Sequence, residues 1–137
     1  KFIHSFPISK DEIIKAILAN DINLKKIVKI IHSEVRIEMN KFLKKNRNKR
    51  IIILDIPLLL ENKINKKGDI LIFVKSKKTD ILKRLKKRNN FDYKLFNKFR
   101  KIQLSLDYKM KKSHFTIKNN FTKKSVKRDI NYILGKI

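Results

Sequence analysis

Ile51-Ile52-Ile53-Leu54-Asp55-Ile56-Pro57-Leu58-Leu59-Leu60-Glu61-Asn62 is the stretch on which the fold turns. Its first four residues are apolar without interruption, and three of them are β-branched. A surface strand alternates apolar and polar residues, so a continuous run predicts a strand buried on both faces, as in a parallel sheet. Pro57 lacks the N–H that a ladder needs, so Asp55-Ile56-Pro57 marks the strand's carboxyl end. Leu58 to Glu61 then predicts a short helix or turn. Downstream, Lys66-Lys67-Gly68-Asp69 reads as a turn, and Ile70-Leu71-Ile72-Phe73-Val74 predicts a second buried strand, parallel to and beside the first.

Outward from this stretch the chain alternates helices and strands. Ser9 with Glu12 three residues later forms a capping-box signature for a helix that runs to about Asn20. Asp21 is the expected cap of a second helix, from Ile22 to about Lys45, with Leu24, Ile27, Val28, Ile31, Val35 and Met39 at helical spacing. Thr79 or Ser76 opens a helix through Arg88, and a long helix is expected from about Asp92 to Lys111. His114 to Lys118 predicts a third short strand, and Ser125 to Leu134 a closing helix. Strands alternating with helices indicate an α/β class with a parallel sheet, whose ligands bind at the carboxyl ends of the strands. Those ends are Asp55-Ile56-Pro57, Lys75-Ser76 and Lys118-Asn119-Asn120.

The 137 residues suffice for one domain with a modest core, and they contain no cysteine, hence neither disulfide nor thiolate metal site. No apolar run approaches the roughly 20 residues of a membrane span. The net charge is +25, from 37 Lys and Arg against 12 Asp and Glu. A polyanion-binding surface is one explanation. The other is compositional: Lys, Ile and Asn, with A/T-rich codons, crowd a chain that has only two alanines, Ala16 and Ala19, and two glycines, Gly68 and Gly135. The basic residues are spread along the chain rather than gathered in one arm, which favours the compositional reading. The aromatic residues are mostly Phe inside apolar patterns rather than a stacking platform, which also argues against nucleic acid.

Four blocks, in order, carry a more specific signal. Leu54 to Asn62 closely resembles the segment after the third strand of dephospho-coenzyme A kinases. Ile31-His32-Ser33-Glu34-Val35-Arg36 resembles that family's His-Pro-x-x-Arg helix region, with Ser33 in place of proline. Leu82-Lys83-Arg84-Leu85-Lys86-Lys87-Arg88-Asn89 resembles its helix ending in Arg-Asp, with Asn89 for aspartate. Gln103, Lys109 and Ile117-Lys118-Asn119-Asn120 resemble its Gln, Lys and Val-Ile-Asp-Asn pattern, with Lys118 for aspartate. The resemblance runs from about Ile8 to the last helix.

It implies a three-layer P-loop kinase fold and transfer of the ATP γ-phosphoryl group to the ribose 3′-hydroxyl of dephospho-CoA, with Mg²⁺ accompanying ATP, in the cytoplasm. It implies a substrate-binding set of Asp55, Pro57, Leu60, Glu61, His32 and Arg36. Arg88, with Arg84, becomes the catalytic lid pair, and Gln103, Lys109 and Asn119 join Arg88 on the ATP and lid side. Residues 1–48 are then the helical acceptor-binding region, and residues 49–137 the sheet core with lid helices at about 77–112. The family's phosphate loop, G-x-x-x-x-G-K-S/T, and its Asp-Ala-Asp segment are absent from these residues. The first residue is Lys1, so the chain is expected to be the later part of a longer enzyme and inactive alone.

Each assignment has a plainer counterpart. Asp55 is also a turn residue, Leu58 to Leu60 are also core, and Glu61 is also an exposed helix carboxylate. Arg84 and Arg88, four apart and so on one helical face, also suit a solvated basic surface. His32 also bonds locally at a helix bend, since no ligand-spaced partner makes it a metal site. Asn119 also forms an Asx turn, and Gln103 and Lys109 are also merely exposed. Another nucleoside-monophosphate-type kinase and a basic nucleic-acid-binding module are the rival functions.

Overall fold

The computed structural model describes residues 6–137. In chain order the elements are α1 (Lys10–Ala19), α2 (Asp21–Lys45), β1 (Ile72–Lys75), α3 (Lys78–Lys86), α4 (Tyr93–Lys101), α5 (Leu106–Lys112), β2 (Phe115–Lys118) and α6 (Lys123–Leu134). The class is α/β with a small parallel sheet of two strands. The chain divides into two compact units. One comprises the residues up to Ile64 together with Tyr93–Ile102, and the other Asn65–Asp92 with Gln103–Ile137.

The first unit is helical. Ser9 caps α1 as its sequence position predicts, its hydroxyl accepting from the Glu12 N–H at 3.1 Å. The cap of α2 is Asn20 rather than Asp21: the Asn20 Oδ1 accepts from the Ile22 N–H at 2.8 Å. Asn20 is the extended hinge that ends α1, so its side chain is already placed to take the first free amide of α2. The core is Ile17, Leu24 and Ile27, flanked by Ile13, Val28, Leu95, Phe99 and Ile102. Lys98 closes on Asp21 at 2.6 Å, tying α4 to the start of α2. This hydrogen bond and the ammonium charge hold the Asp21 carboxyl below the ordinary carboxylate value.

The second unit is built on β1 and β2, which run parallel with Ile72 opposite Phe115 and Lys75 opposite Lys118. Helix α6 packs on β2, and Ile117 and Ile133 are buried. The Lys66–Asp69 turn is closed by Lys66 N–H donating to the Asp69 carboxylate and by Gly68 at φ 97°. Asp129 accepts from the Lys118 N–H at 2.9 Å, a backbone contact that holds its carboxyl below the ordinary value, aided by Arg128.

Four expectations are corrected. Ile51–Leu54 is not a strand, and Ile53 is 83% exposed. A run apolar on both faces is a buried strand only with a ladder neighbour, and among the described residues the only ladder joins β1 to β2. The partner of the Ile70–Val74 run is therefore Phe115–Lys118. That second strand is also not buried: Ile72 and Val74 are 43% and 54% exposed, because a two-stranded sheet covers little of its own surface. The long helix expected from Asp92 to Lys111 is two helices. Ser105 starts the second by accepting from the Tyr108 N–H at 3.2 Å, a local bond that competes with helix continuation. Finally, Lys77 rather than Ser76 or Thr79 sits at the start of α3, with no side-chain cap, and α3 ends at Lys86. No helix among the described residues is long and apolar enough to cross a membrane.

Candidate functional site

The first unit contains a surface cavity of about 480 Å³. One wall is the face of α2 carrying Leu24, Lys25, Val28, Lys29, His32, Ser33 and Arg36, residues that recur at helical spacing. The opposite wall is the turn that holds Leu58, Glu61 and Asn62, and Ile102 completes it. Three cations, Lys25, Lys29 and Arg36, share the lining with one carboxylate, Glu61, so the cavity favours an anionic occupant. Leu24, Val28, Leu58 and Ile102 offer an apolar body a surface to rest on.

The turn is built to aim its polar groups at α2. Leu58 and Lys63 lie at φ 55° and 50°, the left-handed region that non-glycine residues rarely enter. Between them the backbone folds back, with Asn62 N–H donating to the Leu58 carbonyl at 3.1 Å and Ile64 N–H to the Leu59 carbonyl at 3.0 Å. Ile64 is buried and anchors the turn's far end. Asn62 then makes three links. Its Nδ2 donates to the Leu58 carbonyl at 3.0 Å and lies 3.2 Å from His32 Nε2. Its carbonyl accepts from Arg36 Nη2 at 2.6 Å. His32 is the one buried polar residue among those described, and its Nδ1 has no hydrogen-bond partner.

Of the six residues expected to bind substrate, His32, Arg36 and Glu61 meet in this cavity. Asp55, Pro57 and Leu60 belong to the same segment but do not line it. Asp55 and Pro57 are exposed and Leu60 is half-buried. Asn62 was passed over, although it ends the most specific string of the chain. The signal was its type: the only amide in that string, placed after a run of leucines. Lys25 and Lys29 were also missed. Their spacing from Arg36 along α2, eleven and seven residues, was the available cue.

The expected lid and ATP residues all lie in the second unit, where Gln103 opens the last segment and is exposed. Arg84 is not a free lid group: its guanidinium stacks 4.3 Å from the centre of the Phe121 ring. Arg88 lies beyond the end of α3, its N–H donating to the Leu85 carbonyl, so the shared helical face expected for Arg84 and Arg88 is not formed. Arg88 itself is exposed. Lys109 is half-buried on α5, where its carbonyl accepts from the Ser113 hydroxyl. Asn119 forms the Asx turn, accepting from the Phe121 N–H at 2.9 Å, and its own N–H pairs with the Lys75 carbonyl. Among the described residues no group of three or more His, Asp or Glu is placed to hold a metal ion.

Residues 7–125 match the sequence profile of the dephospho-CoA kinase family. The chain is similar to the dephospho-CoA kinase of Wolbachia pipientis wMel, with 34% identity over 114 residues, 82% of this chain and 58% of that protein. It is 34% identical to the enzyme of the same name from Fusobacterium nucleatum, over 82% of this chain and 58% of the relative. It is 27% identical to that of Rickettsia bellii, over 98% of this chain and 70% of the relative. The chain thus spans between 58% and 70% of the length of these three relatives.

Proposed function

Since this chain belongs to the dephospho-CoA kinase family, we propose that its cavity is the acceptor site for dephospho-CoA in the ATP-dependent phosphorylation of the ribose 3′-hydroxyl. The observation that carries this reading is the three-way linkage at Asn62. It joins the two stretches whose sequences most resemble the family, Ile31 to Arg36 and Leu54 to Asn62, around one cationic cavity.

The residues of this chain act by binding and orientation. Arg36 and the lysines of α2 neutralise an anionic group, while the apolar floor excludes water from its neighbour. Holding the acceptor in one pose turns a bimolecular encounter into a positioned one, which contributes much of the acceleration in phosphoryl transfer. Arg88 and Lys109 are proposed on the ATP side, Arg88 as the cation that meets the transferring phosphoryl group. Arg84, held on Phe121, acts there by keeping the loop after β2 in place. ATP would bring Mg²⁺ with it. The described carboxylates do not gather into a site for that ion. The 137 residues contain no G-x-x-x-x-G-K-S/T loop, so phosphoryl transfer needs phosphate-binding groups from outside this sequence.

Calorimetric titration of the protein with dephospho-CoA tests the reading. Binding that is lost on changing Arg36 and Lys29 to Ala, with ATP turnover undetectable for the 137 residues alone, is the expected result. Binding that ignores both substitutions would remove the cavity from consideration.

A further inference from the structure

Leu71 and His114 stand one residue ahead of β1 and β2, and they are joined twice. The His114 backbone N–H donates to the Leu71 carbonyl at 2.8 Å, and the Leu71 N–H donates to His114 Nδ1 at 2.9 Å. A main-chain amide at the entry of a strand is a strong donor that needs an acceptor. Here that acceptor is a ring nitrogen rather than a carbonyl. A backbone N–H can only donate, so Nδ1 must present its lone pair. The ring that holds this bond is therefore neutral, with its proton on Nε2.

An imidazole differs from a carbonyl in gaining a proton in the range from about pH 8 to pH 5. The second proton sits on Nδ1, and a donor then faces the Leu71 donor. His114 is exposed, so water delivers that proton without any opening of the unit. The ring lines a cavity of about 530 Å³ between β2 and α6, together with Lys118, Arg128, Asp129 and Tyr132. Two of these are cations. Asp129 is the carboxylate of that lining, and it already accepts from the Lys118 N–H and pairs with Arg128 at 3.5 Å. On the side of β1, Asp69 accepts from the Lys66 N–H at 2.7 Å. On the side of α5, the Lys112 ammonium lies 5.9 Å from the centre of the Tyr108 ring. The surroundings thus favour a neutral ring over an added positive charge.

We propose that His114 and Leu71 form a pH-sensitive clamp at the amino ends of the two strands, closed with a neutral ring and released when the ring gains its second proton. The sign follows from the bond. The neutral ring accepts and the charged ring cannot, so the stabilisation is present at high pH and is lost as pH falls through the titration of the imidazole. The sheet has four residue pairs, from Ile72–Phe115 to Lys75–Lys118, so one bond at its head is a sizeable part of what holds β1. The opposite end is closed without a titrating group, by the Asn119 N–H donating to the Lys75 carbonyl at 2.8 Å. Acid therefore frees the amino ends of the strands and leaves in place the carboxyl ends, where a parallel sheet binds its ligands.

Scalar coupling across the N–H···N bond, read by NMR of nitrogen-15-labelled protein, tests the clamp. At about pH 8 a coupling between the Leu71 amide nitrogen and His114 Nδ1 is expected, with the ring protonated at Nε2, and at about pH 5 that coupling is gone. Exchange of the Leu71 amide with solvent, corrected for its intrinsic rate, is expected to quicken roughly tenfold over that interval, the scale of one lost hydrogen bond. The Asn119 amide keeps its protection. His114→Asn supplies an acceptor oxygen that does not titrate, so its Leu71 amide should be protected at both pH values. His114→Ala supplies none, and its Leu71 amide should exchange quickly at both. A wild-type ring protonated at Nδ1 alone at the higher pH, or equal Leu71 protection at the two pH values, overturns the proposal without any variant, so a poorly folding substitution does not protect it. A His114→Asn protein that keeps the wild-type pH response overturns it as well. Parallel loss of protection at Asn119 would mean that acid opens the whole sheet, and the local clamp falls.

Discussion

The Arg36 guanidinium donates to the Asn62 carbonyl at 2.6 Å across 26 residues of chain. A charged donor on a neutral carbonyl is stronger than a neutral pair, and here it staples the turn with left-handed Leu58 and Lys63 to the side of α2. Arg36→Lys keeps the charge but loses the planar fork, and Arg36→Ala loses both. Arg36→Ala is expected to raise the Kd for dephospho-CoA more than Arg36→Lys does. Its cost to stability should be about 0.5–1.5 kcal/mol, the usual worth of one hydrogen bond. Calorimetry and urea unfolding measure the two effects separately. Equal, negligible changes in Kd would leave Arg36 a purely structural staple.

Arg88 tests the second unit. In a form of the enzyme that carries phosphate-binding groups, Arg88→Ala should lower kcat about a hundred- to thousandfold, as removal of a transition-state donor does, with little change in acceptor KM. Lys87→Ala, the adjacent C-cap of α3, is the control and should be nearly silent. Steady-state kinetics on both variants decide. Small, matching effects would assign Arg88 to the general basic surface.

Leu24 and Ile53 separate core from surface. Leu24 is 2% exposed in the centre of the helical core, whereas Ile53 is 83% exposed. Leu24→Ala should destabilise by about 2–5 kcal/mol, from lost transfer energy and the cavity left behind. Ile53→Ala should change stability by no more than about 0.5 kcal/mol. Chemical denaturation of the two variants gives the comparison. A large cost at Ile53 would mean that Ile51–Leu54 is a buried strand after all.

Asp129 gives a pH-dependent signal. Its carboxyl is held below the ordinary value of 3.8, first by the Lys118 N–H and then by Arg128. A depressed folded-state pKa means that the ionised form is favoured by folding. The resulting stability is present above the unfolded value and is lost as pH falls through the folded one. Asp129→Asn keeps an acceptor oxygen for Lys118 but removes the charge. The variant should therefore lose the share of acid sensitivity that wild type shows below about pH 5, the upper edge of such a transition. Thermal unfolding between neutral and acid pH checks this, and identical acid profiles would refute it.

Local chemistry made much of the chain legible. Ser9 and Glu12 announced α1, the spacing of Leu24 and Ile27 announced the buried face of α2, and the β-branched runs at Ile72 and Phe115 announced β1 and β2. Capping, periodicity and turn preference act over a few residues, so a linear reading captures them. The family resemblance was legible for a related reason: its four blocks are short strings of specific residues. His32, Arg36 and Glu61 were accordingly named as candidates before any geometry, and the fold brings the three to one cavity.

What could not be read locally depends on partners distant along the chain. Ile51–Leu54 carries the pattern of a buried strand, but a strand exists only when another ladder receives it, and β1 pairs with β2 instead. The stretch from Asp92 to Lys111 carries helical character throughout, yet it divides at Ser105 into helices of different units. Arg84 looks like any basic helix residue until Phe121, 37 positions later, comes under its guanidinium. Asn62 is one amide among many until the turn brings it to His32, 30 residues away. Secondary structure follows from short-range sterics and hydrogen bonding, whereas the partner of a buried polar group is whichever side chain the folded chain sets beside it.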